Sequence, residues 1–465
     1  FEPMGVYIIG ACLYLPLSTL PYWRSARGTL LPALPRDGLQ TLSANYQHFF
    51  SMETQSAGST LNGASPVGDR SRPLLLERLF LRALGNLHQG CLHIYFPSGA
   101  SAQSGDPAFT PIELRIQLPA FFRKVFSGGS VGLGEAYVAG LWTTSDLSGL
   151  LTLLAKNQKE LGRVQYGFSI LAKKMNQLYH RARRNTIQQS RENIQEHYDL
   201  SNAFYETFLD STMTYSSARF LSDEDTLEQA QLNKIDRMLD LAGVKTGDHI
   251  LEIGSGWGAL ARRAAERGCT VKTITLSEEQ FAYANNCFEQ AGVSDRVEIA
   301  LQDYRTLVGQ YDAVLSCEMI EAVGQEYLDS YFKIIQQSLK PGAKAVLQGI
   351  TIPDERYERY CRSCDWIQKY IFPGGHLPSP GAIRDHVANS GGMEVLQMDS
   401  FGHDYAETLK RWTVAFNAHL ETVQSLGFDT EFCRKWNYYL SYCEAGFRTE
   451  LIDVQHIVLE RANRP

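Results

Sequence analysis

Two patterns of apolar and polar positions divide this chain. From Leu227 onward, short apolar runs rich in β-branched residues alternate with stretches of helical spacing. The runs are 249–253, Val271–Leu276, Val297–Leu301, Tyr311–Ser316 and Lys344–Gln348, and the helical stretches fall at Leu227–Leu241 and near 278–291, 326–339 and 381–390. Strand and helix alternating at this interval predict an α/β fold with a doubly wound parallel sheet, whose ligands bind at the carboxyl ends of the strands. Those ends carry Gly254 and Gly256, Thr275 to Ser277, Gln302 and Asp303, Cys317 and Glu318, and Gln348. Upstream the pattern differs. Leu74–Leu87 has helical spacing, Gly90–Phe96 and Ile112–Leu118 alternate like paired strands, and Leu147–Lys156 is helical again, which together predict a small α+β domain.

Four regions follow. Residues 1–72 read as a poorly ordered N-terminal extension ending in a Ser/Gly-rich linker, residues 73–155 as the small domain, 156–226 as connecting helices and a lid, and 227–465 as the main domain. The stretch from Pro353 to Tyr405 is dense in aromatics and predicts a cap inserted over the strand ends. Lys173, Lys174, Arg181, Arg183 and Arg184 stand among aromatics in the connecting region, a composition suited either to a solvated helix or to anionic lipid headgroups.

Composition narrows the function classes. A formal net charge of −7 over 465 residues argues against nucleic acid as a partner. Val6–Leu20 is apolar but contains Pro16 and falls short of the ~20 residues a bilayer requires. Cys361 and Cys364 have no second pair or His cluster to complete a zinc site, so no metal is expected, and the nine cysteines lack paired spacing, as in a reducing compartment.

Ile250–Gly258 reads as strand, tight turn and helix start, with Gly254, Gly256 and Gly258 two apart. The dinucleotide fingerprint places its third glycine three residues after the second, for a pyrophosphate. A nucleoside without pyrophosphate suits the tighter spacing, and S-adenosylmethionine is the usual ligand of that kind.

Several motifs then agree in order: His197-Tyr-Asp-Leu-Ser-Asn, Met213-Thr-Tyr-Ser, Leu251-Glu-Ile-Gly-Ser-Gly-Trp-Gly, Leu301-Gln-Asp-Tyr-Arg, Met319-Ile-Glu-Ala-Val-Gly, Lys369-Tyr-Ile-Phe-Pro-Gly-Gly-His and Phe401-Gly-His-Asp-Tyr. On these the chain resembles the cyclopropane fatty acid synthase family from about Gly132 to its end. The resemblance implies a Rossmann-like class I methyltransferase domain and S-adenosylmethionine held by Tyr215, Ser216, Gly254, Gly256, Thr275, Leu276, Gln280, Gln302 and Asp303. It implies a methylene added across a cis double bond of an unsaturated phospholipid at a membrane surface, by a cytoplasmic, peripherally bound enzyme, with a homodimer as the candidate assembly. A bound bicarbonate would be the general base, held by Ser217, Glu321, Gln348, Ile350 and Tyr405, while Cys443 matches a cysteine also suggested for catalysis. Ser217 and Gln348 depart from the cysteine and histidine common at these places, and a glutamine cannot take up a proton. A methyl-branched or methylenated product, or methylation of a small amine, are the competing outcomes.

Overall fold

The computed structural model describes residues 72–85, 87–158 and 200–463. The N-terminal extension, His197 and the basic connecting stretch lie outside them.

The small domain begins with the helix Leu75–Leu84 and the strands β1 (Cys91–Tyr95), β2 (Ser101–Gly105) and β3 (Ile112–Ile116). The helix Ala120–Val138, the two-residue strand β4 (Trp142–Thr143) and the helix Leu147–Lys156 complete it. The two expected strands, β1 and β3, pair in parallel, and β2, which the hydrophobic pattern did not mark, pairs antiparallel with β1. Its sequence Ser-Ala-Gln-Ser-Gly has no apolar alternation because it forms the outer edge of the sheet, in the order β2-β1-β3-β4. The long helix changes direction at Gly129, where φ is 57°.

The main sheet is built from β5 (His249–Ile253), β6 (Thr270–Thr275), β7 (Val297–Leu301), β8 (Tyr311–Cys317), β9 (Leu339–Thr351), β10 (Met393–Ser400) and β11 (Asp453–Arg461). Their order is β10-β11-β9-β8-β5-β6-β7. The first five strands are parallel as expected. The sheet as a whole is mixed, because β11 runs antiparallel to both β9 and β10. Four of the five residues of β5 are buried, as for a central strand covered on both faces.

The helix Leu227–Ala242 starts where the Thr226 hydroxyl accepts from Gln229 N and stops at Gly243 in the left-handed region. Gly258 opens the helix Ala259–Glu266 with φ 97°, and a Cβ there would lie 2.9 Å from the Phe288 ring, so both backbone conformation and packing require glycine.

The expected cap is corrected in extent. Only 353–378 is inserted over the strand ends, with the helices Asp354–Cys361 and Trp366–Tyr370, whereas the helix Pro380–Asn389 and β10 belong to the main sheet's own layers. Most of the cover comes later, from the helices Gly402–Ala418 and Thr430–Arg448. One apolar cluster runs from Phe80 and Phe121 of the small domain through Phe204 and Phe208 to Trp412, Trp436 and Tyr438. The two domains therefore share a core. Gly134 lets the long helix approach the Trp366 and Tyr438 rings, Glu135 pairs with Lys369 at 2.8 Å, and Ser148 donates to Glu444 at 2.6 Å.

Candidate active site

Two cavities meet over the carboxyl ends of the main sheet. The smaller, about 190 Å³, lies on the glycine turn after β5, and the nine residues expected to hold the cofactor all line it. Gly254 and Gly256 have φ 93° and 49°, which frees the turn from side chains at the floor of the cavity. After β6 the Thr275 hydroxyl donates to Gln280 Oε1 at 2.9 Å and accepts from Ser277 N at 3.1 Å, fixing the first turn of the next helix beside Leu276. Gln302 donates to Thr306, and both Asp303 oxygens accept from Arg305, so this carboxylate enters the site already paired. Ser216 accepts from the buried Lys234 ammonium at 2.7 Å.

Glu252 is a resident of this cavity that the sequence reading passed over. It is buried, accepts from the Thr273 hydroxyl at 2.5 Å, and burial pushes its carboxyl up to about 8. The signal was its position two residues before Gly254, on a strand otherwise apolar. A buried carboxyl there suits a ligand carrying an ammonium group.

The larger cavity, about 2060 Å³, exceeds the ~300–1,000 Å³ of ordinary small-ligand pockets. The small domain contributes residues such as Leu79, Leu150 and Leu154 to its wall, and Phe372, Tyr439 and Tyr442 line it as well. No catalytic constellation was expected in the small domain, and its part here is as wall.

Tyr215, Glu318 and Ala322 line both cavities. Glu318 is where the expected catalytic residues converge. Its Oε1 accepts from Ser217 N and from Gln348 Nε2, both at 2.8 Å, and its Oε2 accepts from the Tyr405 hydroxyl at 2.7 Å. The backbone delivers it there by an uncommon route: β8 ends at Cys317, and Glu318 takes φ 48°, a left-handed conformation that costs a non-glycine residue of order 1–3 kcal/mol.

Burial raises Glu318 above the ordinary carboxyl range, and its donors, Ser217 N and Gln348 foremost, offset only part of that. Glu321 has fewer donors. Its Oε1 accepts from Ile350 N at 2.5 Å, its Oε2 is buried without a hydrogen-bond partner, and burial together with the neighbouring Glu318 charge pushes it up to about 8. Of the pair, Glu318 has the better-solvated carboxyl, with three donors, and Glu321 is the one held toward its protonated form.

The structure places the members of the expected catalytic set differently. Ser217 and Gln348 line neither cavity; they are buried and act through Glu318, Ser217 by its backbone N–H. Ile350, Glu321 and Tyr405 face the larger cavity, and the Ile350 backbone N–H also donates to Glu321. Cys443 also lines it, but burial and nearby carboxylates push its thiol up, leaving a neutral wall rather than a nucleophile. The bicarbonate does not fit among the expected ligands while the Glu318 carboxylate takes the donors of Ser217, Gln348 and Tyr405.

Behind Gln348, across the β9–β11 pairing, His456 lies at 2.9 Å from its Oε1. Burial and the cations Arg219, Lys234 and Arg237 depress that imidazole to about 3. It is therefore neutral, and it orients the glutamine so that the amide N–H₂ faces Glu318. No periodicity could have linked two residues 108 positions apart.

A doubly wound sheet with a glycine turn, a nucleoside-sized cavity and a second, larger cavity open to it defines an S-adenosylmethionine-dependent methyltransferase of the Rossmann-like class. The profile of the mycolic acid cyclopropane synthetase family matches residues 185–457, and the chain belongs to that family of cyclopropane fatty acid synthases and their relatives. It is 42% identical over 383 residues to the tuberculostearic acid methyltransferase UfaA1 of Mycobacterium tuberculosis, covering 80% of this chain and 88% of that one. It is 33% identical over 365 residues to the cyclopropane-fatty-acyl-phospholipid synthase of Escherichia coli, covering 76% and 88%. Among solved structures, the mycolic acid cyclopropane synthase CmaA1 complexed with SAH and CTAB matches with a TM-score of 0.55 at 31% identity, over 58% of this chain and 98% of that one.

Proposed function

We propose that this enzyme adds a one-carbon unit from S-adenosylmethionine across a cis double bond of an unsaturated phospholipid acyl chain and closes it to a cyclopropane. The observation that carries the reading is the junction at Tyr215, Glu318 and Ala322, where an acyl-sized apolar cavity opens onto the cofactor cavity. The E. coli relative bears the name of that activity. The substrate would be reached at a membrane surface; no helix among the described residues is long and apolar enough to cross a membrane.

Bound on the glycine turn, S-adenosylmethionine supplies an electrophilic methyl group. The protein's residues supply position and dryness. An alkene that takes this methyl becomes a carbocation, and the rings nearest the junction stabilise it by ~0.5–2 kcal/mol each. Tyr215 is held by a hydrogen bond to the Tyr439 hydroxyl at 2.7 Å and by stacking on Trp412, so its face is fixed. Tyr405 stacks on Phe447, with centroids 4.5 Å apart. A second outcome, a methyl-branched or methylenated chain, is favoured by the higher identity to a relative named a methyltransferase.

Expression in a bacterium whose lipids contain cis-monoenoic chains, followed by mass spectrometry of the fatty acids, tests both. Each predicts new species: about 14 mass units (CH2) heavier for the ring or a branched alkene, about 16 if a host reductase saturates the branch. Chromatography against ring and branched standards separates them, and an unchanged lipid profile would sink both.

A further inference from the structure

Every cis-alkene methylation of this kind ends with removal of a proton, and this step needs a base at the junction of the two cavities. We infer that the general base is the protein's own Glu318 carboxylate, in place of a bound bicarbonate. The inference rests on the proposed reaction and names the residue that completes it.

Three observations carry it. Glu318 is the carboxylate that lines both cavities: Glu252 and Asp303 face only the cofactor side, and Glu321 only the acyl side. It is gripped by a backbone N–H, an amide N–H and a tyrosine hydroxyl at 2.7 to 2.8 Å, which fixes its oxygens. Its left-handed φ of 48° is a strained conformation that places a side chain where a glycine would leave space for a small anion. The surroundings suit the role. Burial makes this carboxylate more basic than one in water, and Glu321 stays protonated beside it, so the pair does not hold two charges.

The electron accounting is complete without another reagent. The alkene π pair forms the new carbon–carbon bond to the methyl group, and the electrons of the broken C–S bond remain on sulfur. Glu318 then takes a proton from the added methyl, and the C–H electron pair closes the three-membered ring. If a hydride first shifts from the methylated carbon to the cationic one, the same proton loss gives an exocyclic methylene instead. A saturated branch would need a separate two-electron reductant. The proton leaves Glu318 to solvent after product release.

The test uses the full chain in buffer stripped of carbon dioxide, with vesicles of a cis-monoenoic phospholipid and S-adenosylmethionine. Wild type is expected to keep its full rate there and to ignore added bicarbonate. Glu318→Gln should lose about 100-fold or more in product formation while its S-adenosylmethionine affinity changes little. Glu318→Gly, relaxed at this φ, should lose as much and recover part of the rate with millimolar formate, acetate or bicarbonate, a rescue that a purely structural role would not show. A wild-type rate that falls without bicarbonate and returns with it would overturn the inference, as would Glu318→Gln with near-normal turnover; both leave the proposed reaction standing. Wild type that forms no product from any cis-monoenoic lipid removes the reaction and the base together.

Discussion

At the scale of single residues, the site is a set of buried carboxyls whose environments differ. Glu318 has three donors, Glu321 one, and Glu252 a single threonine hydroxyl. The unequal supply of donors sets which of them hold protons. Glu252 gives a measurable consequence. Its folded-state value of about 8 lies above the ordinary 4.5, so the stability it contributes is fully present below about pH 4.5 and is lost as pH rises toward and through 8. Glu252→Gln removes that dependence. In the cofactor-free protein, the stability of the variant relative to wild type should therefore climb from pH 5 to pH 8, by at most about 1.4 kcal/mol per pH unit. Urea unfolding at three pH values across the window checks it, and a difference that stays flat would show that Glu252 does not keep its proton on folding.

At the scale of elements, the helix Ala120–Val138 docks on the helices Trp366–Tyr370 and Thr430–Arg448 through its smallest residues. A Cβ at Gly134 would lie 2.6 Å from Trp366 and 2.7 Å from Tyr438, two rings fully buried in the shared core. Neither ring can turn away. Gly134→Ala should cost about 1–3 kcal/mol through overpacking and lower the thermal midpoint, with cofactor affinity of the folded protein unchanged. An unaltered midpoint would mean that the interface between the domains is looser than this geometry. The helical contact is supported by Tyr137, whose ring lies tilted against Tyr438 with centroids 5.7 Å apart, and by the Glu135–Lys369 pair.

At the scale of the whole molecule, the large cavity belongs to neither domain alone. Leu154, on the last helix of the small domain, lines the same space as Tyr439 and Glu321. Leu154→Trp should shorten the room for an acyl chain without touching the glycine turn. Given a mixture of phospholipids of different chain length, the variant is expected to shift its product toward shorter chains by several-fold, with S-adenosylmethionine affinity unaltered. A distribution identical to wild type would place the acyl chain elsewhere.

Much of this was legible in the chain itself. The runs at 249–253, 271–276, 297–301 and 311–316 announced parallel strands because short β-branched runs alternate with helical stretches at the interval of a doubly wound sheet, and the three glycines announced a close backbone approach to a ligand. All nine residues expected around the cofactor line one cavity: Gly254, Gly256, Thr275, Leu276, Gln302 and Asp303 stand at strand ends, local features that sequence order carries directly, while Tyr215, Ser216 and Gln280 were expected from the resemblance. The two antiparallel strands were missed: β10 carries three glutamate, glutamine or aspartate side chains among its eight residues, and β11 lies beyond the last alternating unit. What the order of residues could not give is what faces what across long separations. Glu318 stood in the sequence as one strand-end residue among several, and Gln348 as a position lacking a proton carrier. Only packing brought Ser217, Gln348 and Tyr405, spread over 189 positions, onto one carboxylate, and placed His456 behind the glutamine. Burial, which is a property of the assembled core rather than of any segment, then decided which of these groups are charged.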